Sequence, residues 1–197
     1  MLFFVLLVVI ASLAAAQEPL KDAPKDAPKD ASKDTPKDAP KDTPKDAPAD
    51  APKCALVHMI VARGSSEPPG YGASISLSTA VQAALPGTTS EALDYPARMP
   101  YQDSMANGTA TLKAVIARHV ANCPDSKVVL IGYSQGGAVS LDALCGGGGH
   151  PEIGPPTEGL TKEEGKNVKA VAAFGDPRFV KGMAYNVGTN NKTSGVS

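Results

Sequence analysis

Apolar and polar positions divide this chain of 197 residues into three stretches of different material. Residues 1–16 are apolar almost without interruption and close on Ala14, Ala15 and Ala16. A membrane span needs roughly 18 or more apolar residues. The shorter run with small residues at its end predicts a secretory signal peptide, with Gln17 as the mature N-terminus. In residues 17–53 the hydrophobic pattern vanishes. Lys-Asp-Ala-Pro repeats from Lys21 onward, varied at its small or terminal positions only by Ser32, Thr35 and Thr43. Proline at nearly every fourth position forbids a helix and removes sheet donors, and too little apolar surface is present to offset the ordering entropy. A disordered, semi-rigid linker is expected, about 3 Å per residue where it is polyproline-like.

Residues 54–197 are patterned as one domain. Residues 55–62, 127–133 and 168–174 are short, nearly continuous apolar runs with β-branched members, the signature of parallel strands covered on both faces. Residues 90–95 read as a weaker strand. Residues 73–85, 104–122 and 135–144 read as helices; in the second, Met105, Leu112, Val115, Ile116 and Val120 share one face. Strands alternating with helices predict an α/β fold, a three-layer α/β/α sandwich around a mostly parallel sheet.

Charge removes several classes of function. With the linker's eight lysines, eight aspartates and Glu18 set aside from 19 basic and 20 acidic residues, 11 of each sign remain in the domain. A neutral domain has no electrostatic footprint for nucleic acid. The chain carries no phosphate loop, dinucleotide fingerprint or metal-ligand cluster, so no cofactor and no metal are expected. No later segment is long enough to enter a membrane, and a monomer is expected. Cysteines stand at 54, 123 and 145, an odd number, which in a secreted chain suggests one disulfide and one thiol without a partner.

The chemistry points to Gly132-Tyr133-Ser134-Gln135-Gly136. This G-x-S-x-G pattern directly follows an apolar strand and opens a helix of small residues, the strand-turn-helix setting of a nucleophile elbow. Flanking glycines permit a sharp turn that leaves the Ser134 hydroxyl exposed, and free N–H groups of the helix N-terminus face a developing oxyanion.

Around that elbow stand further blocks: 62–67 (Ala-Arg-Gly-Ser-Ser-Glu), 69–72 (Pro-Gly-Tyr-Gly), 122–124 (Asn-Cys-Pro), 143–147 (Ala-Leu-Cys-Gly-Gly) and 174–178 (Phe-Gly-Asp-Pro-Arg). In this order they resemble the fungal cutinases and the related acetylxylan esterases, small secreted α/β-hydrolase serine esterases, from Cys54 to about Thr189. The resemblance implies a carboxylic ester hydrolase acting on plant-surface polymer esters, cutin or acetylated xylan, through an acyl-enzyme. It implies Ser134 as nucleophile, with the Gln135 N–H and Ser65 as oxyanion-hole donors. It also implies a disulfide between Cys54 and Cys123.

The resemblance breaks down towards the end of the chain. The family's catalytic aspartate and histidine lie beyond the Gly175-Asp176-Pro177 block, and no residue here matches them. His150 alone follows Ser134 and is a candidate substitute base on a glycine-rich loop; Asp176 matches a family position that is not the catalytic acid. His58 is expected to hold a core hydrogen bond and His119 to lie on a solvated helix face. Where the family carries a cysteine to pair with Cys145, this chain has Asn190. These features lead to the expectation that a C-terminal strand and helix are missing, through a premature stop, an unrecognised intron or genuine truncation. The alternative is a catalytically incomplete family member, a secreted binding or effector protein. Asn107 and Asn191 begin N-x-Thr sequons open to glycosylation.

Overall fold

The computed structural model describes residues 54–188 and 194–195. The expected signal peptide and repeat linker lie outside them. Four parallel strands, β1 (Val57–Ala62), β2 (Thr89–Ala92), β3 (Lys127–Tyr133) and β4 (Val168–Phe174), form a sheet in the order β2-β1-β3-β4. Parallel neighbours need a crossover, and three helices supply it: α1 (Ile75–Ala84), α2 (Tyr101–Asn122) and α3 (Gln135–Cys145).

Alternation along the central strands sorts the helices into two layers. Ile60, Ala62, Val128 and Leu130 point to one face and are buried with Met105, Leu112 and Ile116 of α2 and with Ala138, Val139 and Ala143 of α3. Met59, Val61 and Ile131 point the other way, against Leu77 and Val81 of α1. The result is the three-layer sandwich. From β1 the chain moves outward to β2, then crosses back on the opposite face to β3. The carboxyl ends of β1 and β3 therefore border the switch point of the sheet, where open α/β sheets hold their ligands.

Three sequence expectations need correction. The second strand is Thr89–Ala92 rather than 90–95: the Leu93 N–H makes the last bond to β1, to the Val61 carbonyl at 2.8 Å, and Tyr95 beyond it packs in the core. The strand at 168–174 is not covered on both faces: none of its residues is buried, Phe174 is 50% exposed, and β4 ends the sheet among the described residues. His119 is not on a solvated face. Its ring stacks on that of His58 at 4.0 Å between centroids and 12° between planes, and its Nε2 meets Ser126 Oγ at 3.0 Å. His58 does hold its core hydrogen bonds, to Thr89 Oγ1 at 2.8 Å and to Glu91 at 3.1 Å.

The bridge between Cys54 and Cys123 joins the segment entering β1 to the end of α2. Closing a loop of 69 residues contributes about 4 kcal/mol through lost unfolded-state entropy. Cys145 is a free, exposed thiol. Among the described residues no helix is long and apolar enough to cross a membrane.

His119 links stability to pH. Burial, then the neighbouring His58 and Arg118, hold His119 below its ordinary 6.5 against the pull of Glu91. Partial burial alone would raise Glu91, but the hydrogen bonds from Arg118 and His58 and their charges carry it below 4.5. A histidine with a lowered folded pKa binds fewer protons folded than unfolded, so its contribution is complete above pH 6.5 and declines as the pH falls further. Urea unfolding at pH 7.5 and 5.5 should therefore show a smaller acid loss for His119→Gln than for the parent. Equal losses would contradict this assignment.

Candidate active site

The strand-to-helix joint after β3 carries the strain expected of an elbow. Ser134 has φ 51° and ψ −119°, a backbone conformation that a non-glycine residue rarely adopts. Such conformations cost on the order of 1–3 kcal/mol and persist only where the surroundings enforce them. Here the Ser134 N–H donates to the Phe174 carbonyl at 2.7 Å, extending the β3–β4 ladder by one residue. Its carbonyl accepts from Gly137 at 2.9 Å and Ala138 at 3.3 Å, starting α3. One residue thus ends a strand and begins a helix.

Two glycines make the joint possible through contact distance. A Cβ on Gly132 would stand 2.3 Å from the Gly136 carbonyl oxygen, and one on Gly136 would stand 2.1 Å from the Ala62 carbonyl oxygen. The elbow is therefore pressed against the carboxyl end of β1, and the loop after β1 is brought beside it. In that loop Ser65 Oγ is buried with no hydrogen-bond partner among the described residues.

Gln135 is fully buried. Its side-chain oxygen accepts from Ser104 Oγ at 3.0 Å and its Nε2 donates to the Arg98 carbonyl at 3.1 Å. Ser104 Oγ also accepts the Arg98 N–H at 3.1 Å. This network anchors the first turn of α3, whose leading N–H groups have no partner within the helix. Gln135 was legible in the motif; Ser104 and Arg98, 31 and 37 residues away, carried no signal of their partnership with it.

A second pairing missed by sequence reasoning lies at the other end of α3. Arg178 forms an ion pair with the buried Asp142, and its N–H is accepted by Asp176 at 2.8 Å. Burial pushes the Asp142 carboxyl up to about 6, with Arg178 pulling it down and Asp176 pushing it up. Burial likewise raises Asp176, opposed by its bonds and charge contact with Arg178. These carboxylates seat the loop after β4.

The histidines are distributed away from this joint. His58 and His119 are occupied with each other and with Thr89, Glu91 and Ser126. His150 lies on an exposed loop, bridged to Gly154, with its Nδ1 accepting the Glu152 N–H at 3.2 Å. No described histidine hydrogen-bonds Ser134, and no group of three or more metal-ligating side chains is clustered among the described residues. Asn107 is exposed on α2, while Thr109 of its sequon is buried; Asn191 lies outside the described residues.

A family model described as Cutinase matches residues 53–195. Acetylxylan esterase from Hypocrea jecorina is 41% identical over 146 residues, covering 70% of this chain and 48% of its own length. Acetylxylan esterase 2 from Talaromyces purpureogenus is 38% identical, covering 69% and 62%. A solved acetylxylan esterase structure superposes with a TM-score of 0.66 at 38% identity, covering 70% of each chain. The chain spans about half the length of the curated relatives it matches.

The contact at Gly136 yields a test. Gly136→Ala should lower stability by about 3 kcal/mol through overpacking, read as a lower urea midpoint with an unchanged slope. An unaltered midpoint would show that the elbow is not pressed against β1.

Proposed function

The chain belongs to the cutinase family, and on that premise we propose that it is a secreted serine carboxylic ester hydrolase with Ser134 as its nucleophile. The observation that carries the reading is the positive φ of Ser134 at a strand-to-helix joint so tight that Gly132 and Gly136 have no room for a Cβ. Strain of this kind aims a side chain out of the sheet and is retained where function requires it.

In the proposed reaction Ser134 Oγ attacks the ester carbonyl carbon and surrenders its proton to a base. The carbonyl oxygen, now negative, faces the Gln135 N–H and the Ser65 N–H and hydroxyl. Removing one such donor typically costs 10²–10³ in rate, about 3–4 kcal/mol. Collapse expels the alcohol and leaves an acyl group on Ser134; water then releases the acid and restores the serine. No metal or cofactor takes part in this sequence. The substrate class is acetylated xylan, supported by the two acetylxylan esterases at 41% and 38% identity; cutin is the competing polymer. Signal cleavage after Ala16, a monomeric state and a glycan at the exposed Asn107 belong to the same reading.

A second reading has its own observation. Serine is a weak nucleophile without a base, and no described histidine contacts Ser134. A family scaffold that keeps its elbow and binds polymer without turning it over accounts for that arrangement.

Hydrolysis of p-nitrophenyl acetate by residues 17–197 separates the two. The esterase reading expects turnover that Ser134→Ala lowers by about 10³-fold or more, with acetate released from acetylated xylan and little activity on long-chain esters. If His150 is the base, His150→Ala lowers turnover comparably. A folded parent without turnover would sustain the second reading and overturn the first.

A further inference from the structure

Glu67 and its partners stand at the loop that carries Ser65 and have no role in the reaction just described. The Glu67 carboxylate accepts two backbone N–H groups, from Gly64 at 2.6 Å through Oε2 and from Ala73 at 2.8 Å through Oε1. Gly72, at φ +53°, leaves room for it: a Cβ there would lie 2.1 Å from Glu67 Oε2. The loop is therefore folded around this carboxylate.

Arg63 holds the other side. It is only 4% exposed, and its guanidinium donates to three carbonyls: Glu67 at 3.0 Å, Leu93 at 3.3 Å and Tyr95 at 2.6 Å. It lies 5.2 Å from the centroid of the Tyr95 ring, and the Tyr95 hydroxyl donates back to the Arg63 carbonyl at 2.5 Å. Burial pushes that hydroxyl well above its ordinary range, so it stays protonated as a donor. The Ser66 N–H is taken by the Ala97 carbonyl at 2.7 Å, with Ser66 at φ 65°. The N–H groups on both sides of Ser65 are thus tied, while its own hydroxyl is left buried without a partner among the described residues.

We infer that Glu67, together with Arg63 and Tyr95, is a positioning residue that fixes Ser65 as an oxyanion donor for Ser134. The inference rests on the esterase reading. A rigid donor gains its effect because nothing reorganises as charge develops, and a displacement of about 1 Å can cost on the order of 100-fold in rate. Glu67→Gln keeps one acceptor oxygen and replaces the other with an NH₂ group facing an N–H, so one loop anchor is lost. Tyr95→Phe removes a single hydroxyl and leaves the carbonyl that Arg63 uses.

The test is phosphorylation of Ser134 by diisopropyl fluorophosphate, in which an O–P bond forms, fluoride leaves and the serine proton passes to solvent. Its developing phosphoryl oxyanion draws on the same donors. Rate constant and final amplitude are measured for the parent and both variants. The inference expects Glu67→Gln to react about 10- to 100-fold more slowly, and Tyr95→Phe more slowly in the same direction, each at full amplitude with unchanged apparent binding of the reagent. A variant that is only less stable would show a reduced amplitude at the parent rate constant. That result, or unchanged kinetics, overturns the positioning role and leaves the esterase reading standing. A parent that does not react overturns both.

Discussion

The close approach of the β3–α3 joint to the carboxyl end of β1 is the constraint on which the rest of this molecule depends. It exists because position 136 has no Cβ: a side chain there would meet the Ala62 carbonyl oxygen at 2.1 Å, and one at 132 would meet the Gly136 carbonyl oxygen at 2.3 Å within the joint itself. Ser134 holds a positive φ at this joint, and the approach brings the loop carrying Ser65 beside it. The same approach puts both at the switch point between β1 and β3, where open α/β sheets hold their ligands. Fold and site are therefore a single construction.

Stabilising layers converge on it from both sides. Ser104 and Arg98 hold Gln135 from the direction of α2, and the Asp142–Arg178 pair holds the far end of α3 against the loop after β4. Arg63 and Glu67 do the same for the loop after β1. Strain in the backbone of one serine is offset by hydrogen bonds spread over four segments of the chain. The disulfide at Cys54 and Cys123 acts further out, anchoring the entry to β1 beside the entry to β3.

Much of this was legible in the sequence because it is written in local pattern. Continuous apolar runs revealed the central strands, helical spacing of Met105, Leu112 and Ile116 revealed the buried face of α2, and glycines flanking Ser134 revealed the elbow. What escaped was long-range. Nothing near Gln135 announces Ser104, nothing near Asp142 announces Arg178, and His58 and His119 stack across 61 positions of sequence without any shared motif. Edge and core strands also read alike: residues 168–174 are as apolar as residues 127–133, yet β4 leaves Phe174 50% exposed, because burial is decided by what packs on a strand rather than by its composition.

The central claim is that Ser134 is a preformed nucleophile, and mapping the site of covalent capture tests it most directly. The folded protein is incubated with diisopropyl fluorophosphate, digested, and its peptides sequenced by tandem mass spectrometry. The account predicts one adduct, on Ser134, absent after prior unfolding in urea. No adduct, or adducts scattered over surface serines in folded and unfolded protein alike, would contradict it.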